Sequence, residues 1–384
     1  MDSKNQEKTL DELWDNTIFK AINCYREGKY NEAAELAKLS IDIAKKAYGK
    51  DSTKVAVSMN NLSLIYEVQG NYSEAENLSI KALAIWEKIL GSDNSDVATS
   101  LNNLAGIYVS RGKYKEAEPL YKKSIEIKEK LFGPNNIELA TSYNNLADLY
   151  RLQKKYNEAE SLYLKSIDIF EHNKDKSSSI ASALNNLAEI YKIRGNYSEA
   201  LKLHKRAFEI WKNSLGPDHP DIATAINNIA GIYYLEGNQV EAEKLYKEVL
   251  EIDEKAYGKN HHFNAMTFNN IALVKEAMGA YEDAEKYFKE AINLSEKTLG
   301  ENHPSIVTFV NNLAGLYRAR EIYPEAEYYF KKGILILEKA FGVKNPDVAM
   351  AMLNLAEMYE SEGKIEEAKR LSDSAKSIYK KILK

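Results

Sequence analysis

The side chains best suited to bond-making chemistry in this chain are six histidines and one cysteine. His219, His261 and His303 stand 42 residues apart. They occupy equivalent places in successive segments, too far from one another to share a metal ion. His261 and His262 form a pair with no further ligands at metal-binding spacing. Cys24 is the single cysteine, so no intramolecular disulfide can form, which fits a reducing compartment. No glycine-rich phosphate loop, His-Glu-x-x-His, Cys-x-x-Cys or Gly-x-Ser-x-Gly string is present. The expectation is a protein with no catalytic residues, no metal and no cofactor.

The chemistry that does recur is hydrogen bonding by carboxamides. Asn-Asn pairs begin at Asn60, Asn102, Asn144, Asn185, Asn227, Asn269 and Asn311, at intervals of 42, 42, 41, 42, 42 and 42. A side-chain amide carries a donor and an acceptor together, so it can pair with the N–H and C=O of an extended peptide of any sequence. Each such bond is worth ~0.5–1.5 kcal/mol net, and useful affinity needs several units acting together. The candidate groove residues are therefore Asn102, Asn103, Asn144, Asn145, Asn185, Asn186, Asn227, Asn228, Asn269, Asn270, Asn311 and Asn312. The alternative is that one amide of each pair bonds the neighbouring unit and sets the pitch of the array.

Those pairs must sit on helices. Around them the sequence has apolar residues at helical spacing: Leu101, Leu104, Ala105, Ile107 and Tyr108 span a sector of ~140–300° if the first Asn is set at 0°. The second Asn, at ~100°, borders that packed face, which on angle alone makes it the structural member. Tyr108, Tyr114, Tyr150 and Tyr156 read as core. Glycine follows each helix, as at Gly112 and Gly133, and Pro220, Pro304 and Pro346 fall where a first helical position is expected. A period of ~42 with two helices per unit describes an all-α α-solenoid. The units begin near residues 14, 55, 97, 139, 180, 222, 264, 306 and 348, after a short polar segment, 1–13. The second helices carry a charged outer face, as in YKKSIEIKEK from Tyr121, whereas the first helices show Asn, Thr, Ser and Gly.

Four residues after the first Asn lie Gly106, Gly231 and Gly315. Mid-helix glycine costs ~1 kcal/mol relative to alanine, so something approaches closely there, either a ligand or a neighbouring helix. Seven residues after it the chain varies, with Arg151, Lys192, Tyr234 and Arg318 among the occupants. This is the pattern of a specificity position and equally that of a free solvent position. The basic members suggest a mild preference for acidic peptides, unless Asp148 and Glu189, one turn earlier, pair with them.

The 384 residues are 44 % hydrophobic and 28 % charged, with net charge −5, 7 Pro and 18 Gly. This is a globular composition without the clustered basic excess of a nucleic-acid binder. No run approaches the ~18 apolar residues of a membrane span, and the polar start lacks a secretory core. The expected location is cytoplasmic.

The recurring string NNLAxxYxxxGxYxEAExLYxxxLxIxExxLGxxHPxxA resembles the tetratricopeptide repeat, in its ~42-residue kinesin light chain-like form and that form's bacterial relatives, over roughly residues 15–384. The resemblance implies a right-handed superhelix of about nine helix-turn-helix units with a concave groove that binds peptides or partner proteins. It implies groove contacts from both Asn rows and from Arg151, Lys192, Tyr234 and Arg318, in tension with the angular argument over the second Asn. The chain departs from the pattern in its fourth unit, where EHNKDKSSS at residues 171–179 replaces the Gly-x-x-His-Pro linker and marks a candidate joint. It departs again in the eighth, where Glu321 stands for glycine and Pro324 opens the second helix. The heptad segment of kinesin light chains is missing, so motor association is not carried over. Two functional expectations follow: a scaffold or adaptor gripping partner segments, and a regulatory receptor that compacts when a signalling peptide binds. The sequence is silent on partner identity, pathway and oligomeric state.

Overall fold

A computed structural model describes residues 3–174, 178–216 and 219–382. Eighteen helices are described, and no strand is found among these residues. Within each unit they alternate as first and second helices of hairpins. The chain divides into two compact units, residues 1–193 and 194–384.

The first unit holds α1 (Ser3–Arg26), α2 (Tyr30–Tyr48), α3 (Thr53–Val68), α4 (Tyr72–Leu90), α5 (Ser95–Ser110), α6 (Tyr114–Phe132), α7 (Ile137–Leu152), α8 (Tyr156–His172) and α9 (Ser178–Ile193). From Ser3 onward the polar stretch 1–13 is part of α1. Of the candidate joint at 171–179, residues 175–177 lie outside the described residues. The second unit holds α10 (Tyr197–Leu215), α11 (Pro220–Leu235), α12 (Gln239–Tyr257), α13 (His262–Ala277), α14 (Tyr281–Leu299), α15 (Ile306–Ala319), α16 (Tyr323–Phe341), α17 (Pro346–Glu362) and α18 (Ile365–Ile382).

The predicted apolar sector of α5 is the one that packs. Leu101, Leu104, Ala105 and Ile107 are buried, and Tyr108 is half-buried. Each large aliphatic side chain removed from water contributes about 1.5–3 kcal/mol. Alanine holds the crossing of the two helices in a hairpin: Ala105 on α5 and Ala117 on α6 are wholly inaccessible, as are Ala147 with Ala159 and Ala314 with Ala326. No side chain larger than a methyl fits where backbones approach so closely. Of the tyrosines read as core, Tyr150 is buried, while Tyr114 and Tyr156 are only half-covered, with part of each ring left to solvent.

The turn inside a hairpin is closed by a left-handed residue. After α5, Gly112 has φ +70°, its N–H reaches Val109 O at 2.9 Å, and Lys113 N–H reaches Tyr108 O at 2.8 Å. Lys154 (φ +60°) and Glu321 (φ +59°) hold the same turn without glycine. A side chain in that region costs roughly 1–2 kcal/mol, so the fold imposes the turn against local preference.

Two of the three spaced histidines, His219 and His261, are helix N-caps, and His303 makes the same bond in the turn ahead of α15. His219, His261 and His303 accept through Nδ1 from the backbone N–H of Asp221, Phe263 and Ser305 at 3.2, 3.4 and 3.3 Å. Asn94, Asn136 and Asn345 do the same with Oδ1. Pro220 and Pro346 open α11 and α17 as expected. Pro304 does not open α15, which starts two residues later at Ile306. The N–H groups of Ile306 and Val307 bond three residues back, to His303 O and Pro304 O, so a tighter turn precedes the α-helix.

Candidate functional site

The Asn pairs project from one side of the first helices, where neutral side chains were expected. The structure shows a ladder that links consecutive first helices within each unit. In the first unit Asn145 Nδ2 on α7 donates to Asn102 Oδ1 on α5 at 3.2 Å. In the second, Asn270 Nδ2 on α13 donates to Asn227 Oδ1 on α11 at 3.0 Å, and Asn312 Nδ2 on α15 to Asn269 Oδ1 on α13 at 2.8 Å. The donor is the second Asn of one pair and the acceptor the first Asn of the pair before it, a separation of 43 residues. One residue beyond the repeat period is the offset at which neighbouring first helices bring these side chains together.

The rows therefore hold the stacking of hairpins, and each rung engages one first and one second Asn, so it does not single out the second as the structural member. The rows are not exhausted by this stacking. A carboxamide offers two N–H hydrogens and one oxygen with two lone pairs. Each rung uses one hydrogen and one lone pair. The side chains of Asn102, Asn145, Asn227, Asn270 and Asn312 remain half-exposed, and only Asn269 is buried. Asn103 has no hydrogen bond among the described residues and is half-exposed, while Asn60 donates instead to Ser100 Oγ at 2.9 Å. Asn185 and Asn228 are also engaged. The oxygens of Asn144 and Asn311 are buried without a hydrogen-bond partner.

Asp148, four residues after Asn144, replaces a rung. Its carboxylate accepts from Tyr163 Oη at 2.5 Å, Asn186 Nδ2 at 3.0 Å and Asn144 Nδ2 at 3.4 Å, and Arg151 Nε lies 3.6 Å away. Burial pushes the Asp148 carboxyl above its usual range, and the Tyr163 and Arg151 contacts only partly offset this. The glycines at the equivalent position face the same column without being required by it. A Cβ on Gly106 would lie 3.7 Å from Tyr121 Oη, and one on Gly231 would lie 3.6 Å from Tyr246 Oη. Both are ordinary van der Waals distances, and the expected close approach is not found at these two sites. At Gly315, whose column partner is Phe330, no atom lies within 4 Å.

The variable positions are occupied by internal partners. Arg151 faces Asp148, Lys192 is ion-paired with Glu189, and Arg318 Nη1 lies 3.1 Å from Glu357 Oε2. Tyr234 is half-buried, its phenol pushed up first by burial and then by the Glu276 charge. The basic points of this face are thus each matched by a carboxylate. Sequence reasoning missed the ladder register and one second-helix column, at Lys128 and Asp253. Reading residues 42 apart along the second helices would have exposed both as charges in a mostly apolar series.

Among the described residues no helix is long and apolar enough to cross a membrane. Comparison with known proteins places these features in context. No curated protein sequence matches the chain. Among solved structures, the apo form of the quorum sensor NprR from B. thuringiensis shares 16 % identity at TM-score 0.66, with 96 % of this chain and 99 % of that one covered. A Rap protein complexed with competence and sporulation factor shares 16 % identity at TM-score 0.60, with 97 % and 99 % covered. The kinesin light chain-like repeats from Podosopora anserina share 25 % identity at TM-score 0.46, with 54 % and 98 % covered. The tetratricopeptide repeat model matches residues 16–88, 64–130, 96–172, 179–255, 221–297, 263–331 and 305–381, so the chain belongs to the tetratricopeptide repeat family.

Proposed function

We propose that the protein is a non-enzymatic, cytoplasmic interaction scaffold whose first-helix amide rows hold an extended segment of a partner protein. The observation that carries this reading is the unspent hydrogen-bonding capacity of the rungs: half-exposed carboxamides in fixed register, each with only one hydrogen or one lone pair committed to its rung. Backbone groups of an extended chain match such a row without regard to sequence. The pairing of Arg151, Lys192 and Arg318 with carboxylates argues against a preference for acidic partner segments.

The test is selection of peptides from a displayed random library against the full chain, followed by anisotropy titration of a selected peptide. Asn103→Ala removes an amide that takes no part in the ladder. It should weaken binding about tenfold with a thermal midpoint no lower than the parent's, whereas Asn77→Ala, on the exposed face of α4, should leave binding unaltered. Equal affinities for all three proteins would reject the amide rows as the site.

A second reading, a peptide-responsive receptor, draws support from the whole-length likeness to the quorum sensor NprR and the Rap protein. It requires the radius of gyration by small-angle scattering to fall when the selected peptide saturates the protein. A scaffold predicts no change.

A further inference from the structure

One second-helix column is mostly apolar. Stepping by the repeat length, it runs through Ala44, Trp86, Phe170, Trp211 and Leu337, all buried, with the buried Ser295 as a small polar member. Two members are charged, Lys128 and Asp253, and both are more than nine-tenths buried, at 5 % and 7 % exposure. Lys128 shows what a charge in this place requires. Its Nζ donates to Ser142 Oγ at 3.1 Å and to Glu138 O at 3.3 Å, and the Glu138 carboxylate lies 3.6 Å away, all on the next first helix. The equivalents of Glu138 and Ser142 on α13 are Phe263 and Thr267. No cation stands at those two positions for Asp253; only His261, just before α13, acts on its charge, and the Asp253 side chain makes no hydrogen bond or ion pair among the described residues. A buried carboxylate so weakly matched is unfavourable unless it is neutralised.

Asp253 also replaces a bulky ring, and the space is open. It lines a cavity of about 380 Å3 between α11, α12 and α13, together with Asp221, Asn227, Tyr257, Phe263 and Thr267. The Tyr257 and Phe263 rings meet edge to face with centroids 5.1 Å apart. The His261 ring stacks on Tyr257 at 4.7 Å, and its Nδ1 is committed to the Phe263 N–H. Tyr257 feels the charges of both Asp253 and Asp221, so two carboxylates converge on one aromatic wall.

We propose that this cavity receives an arginine side chain of the partner, its guanidinium paired with Asp253 and stacked on the aromatic wall. A planar cation fits better than a compact one, because it can bond a carboxylate edge-on while its face lies against a ring. A metal ion is disfavoured, since no group of three His, Cys, Asp or Glu is placed to hold one among the described residues. The inference rests on the partner-binding reading only for the source of the arginine, and Asn227 joins the cavity to the amide row.

The test uses small probes, so that it stands apart from peptide capture. Saturation-transfer NMR with N-acetylargininamide on the full chain should show transfer to the arginine δ protons. The signal should fall at least fivefold with the neutral isostere N-acetylcitrullinamide, and again with the Asp253→Asn protein. Asp253→Leu, which restores the apolar column, should abolish the signal while raising the thermal midpoint. Equal transfer from citrulline and arginine, or an undiminished signal in Asp253→Asn, would overturn the proposal, and equal transfer from N-acetyllysinamide would overturn the choice of arginine. A peptide bound to the amide rows in a protein that ignores the arginine probe would remove this site and leave the scaffold reading intact.

Discussion

The two rungs of the second unit differ in a way that predicts different energies. Asn270 donates to Asn227, whose oxygen is half-exposed and can turn to water when the donor is removed. Asn312 donates to Asn269, whose side chain is 6 % exposed and cannot. A neutral hydrogen bond contributes about 0.5–1.5 kcal/mol, but a stranded buried acceptor costs about 1–3 kcal/mol. Each Asn→Ala change also gains several tenths of a kcal/mol in helix propensity, which masks the loss in single variants. Double-mutant cycles cancel that gain. The coupling between Asn227 and Asn270 should be close to about 0.5–1 kcal/mol, and that between Asn269 and Asn312 about 1–3 kcal/mol. Urea unfolding followed by circular dichroism, fitted with a nearest-neighbour model because repeat arrays do not always unfold in one step, provides the values. Coupling at Asn269–Asn312 no larger than at Asn227–Asn270 would refute the reasoning that burial sets the strength of a rung.

Glu321→Gly should raise stability by about 0.5–1 kcal/mol, because the left-handed turn at φ +59° then carries no side-chain penalty; thermal melting of the variant is the check. Gly315→Ala should stabilise by about 1 kcal/mol, since an added Cβ meets no atom within 4 Å and alanine is the better helix former; a lower melting midpoint would contradict this. The hydrogen bond from Lys289, at 2.7 Å, holds the Glu285 carboxyl below its usual range, with help from Tyr317 and Arg320. A depressed carboxylate adds stability above its unfolded pKa and loses it as pH falls through the folded one. Glu285→Gln should therefore lower the midpoint at pH 7, and the difference from the parent should shrink once pH drops below about 4.

Much of this structure is legible in the chain because the repeat is covalently written. The 42-residue period fixes the helix count, and helical spacing around Leu101 and Ile107 identifies the buried face. The rest depends on which residue meets which across helices. Nothing in the spacing of Asn102 and Asn145 says that a 43-residue offset brings their amides together; that follows from how neighbouring helices cross. The histidines lie between helices, as their spacing suggests, and their alignment with the capping residues Asn94, Asn136 and Asn345, visible unit against unit, points to the bonds they make there. Gly106 and Gly231 suggested a close approach, but a Cβ at either would meet only Tyr121 or Tyr246 of the paired helix, at ordinary contact distance. Pro304 misled because its neighbours bond three residues back.

The unspent amide hydrogens can be observed directly. In protein labelled with 15N at asparagine side chains, a saturating selected peptide should shift the NH2 signals of Asn102, Asn103 and Asn227, while those of Asn77 on α4 stay in place. Movement confined to second-helix amides, with the first-helix rows unchanged at saturation, would contradict the claim that these rows hold the partner.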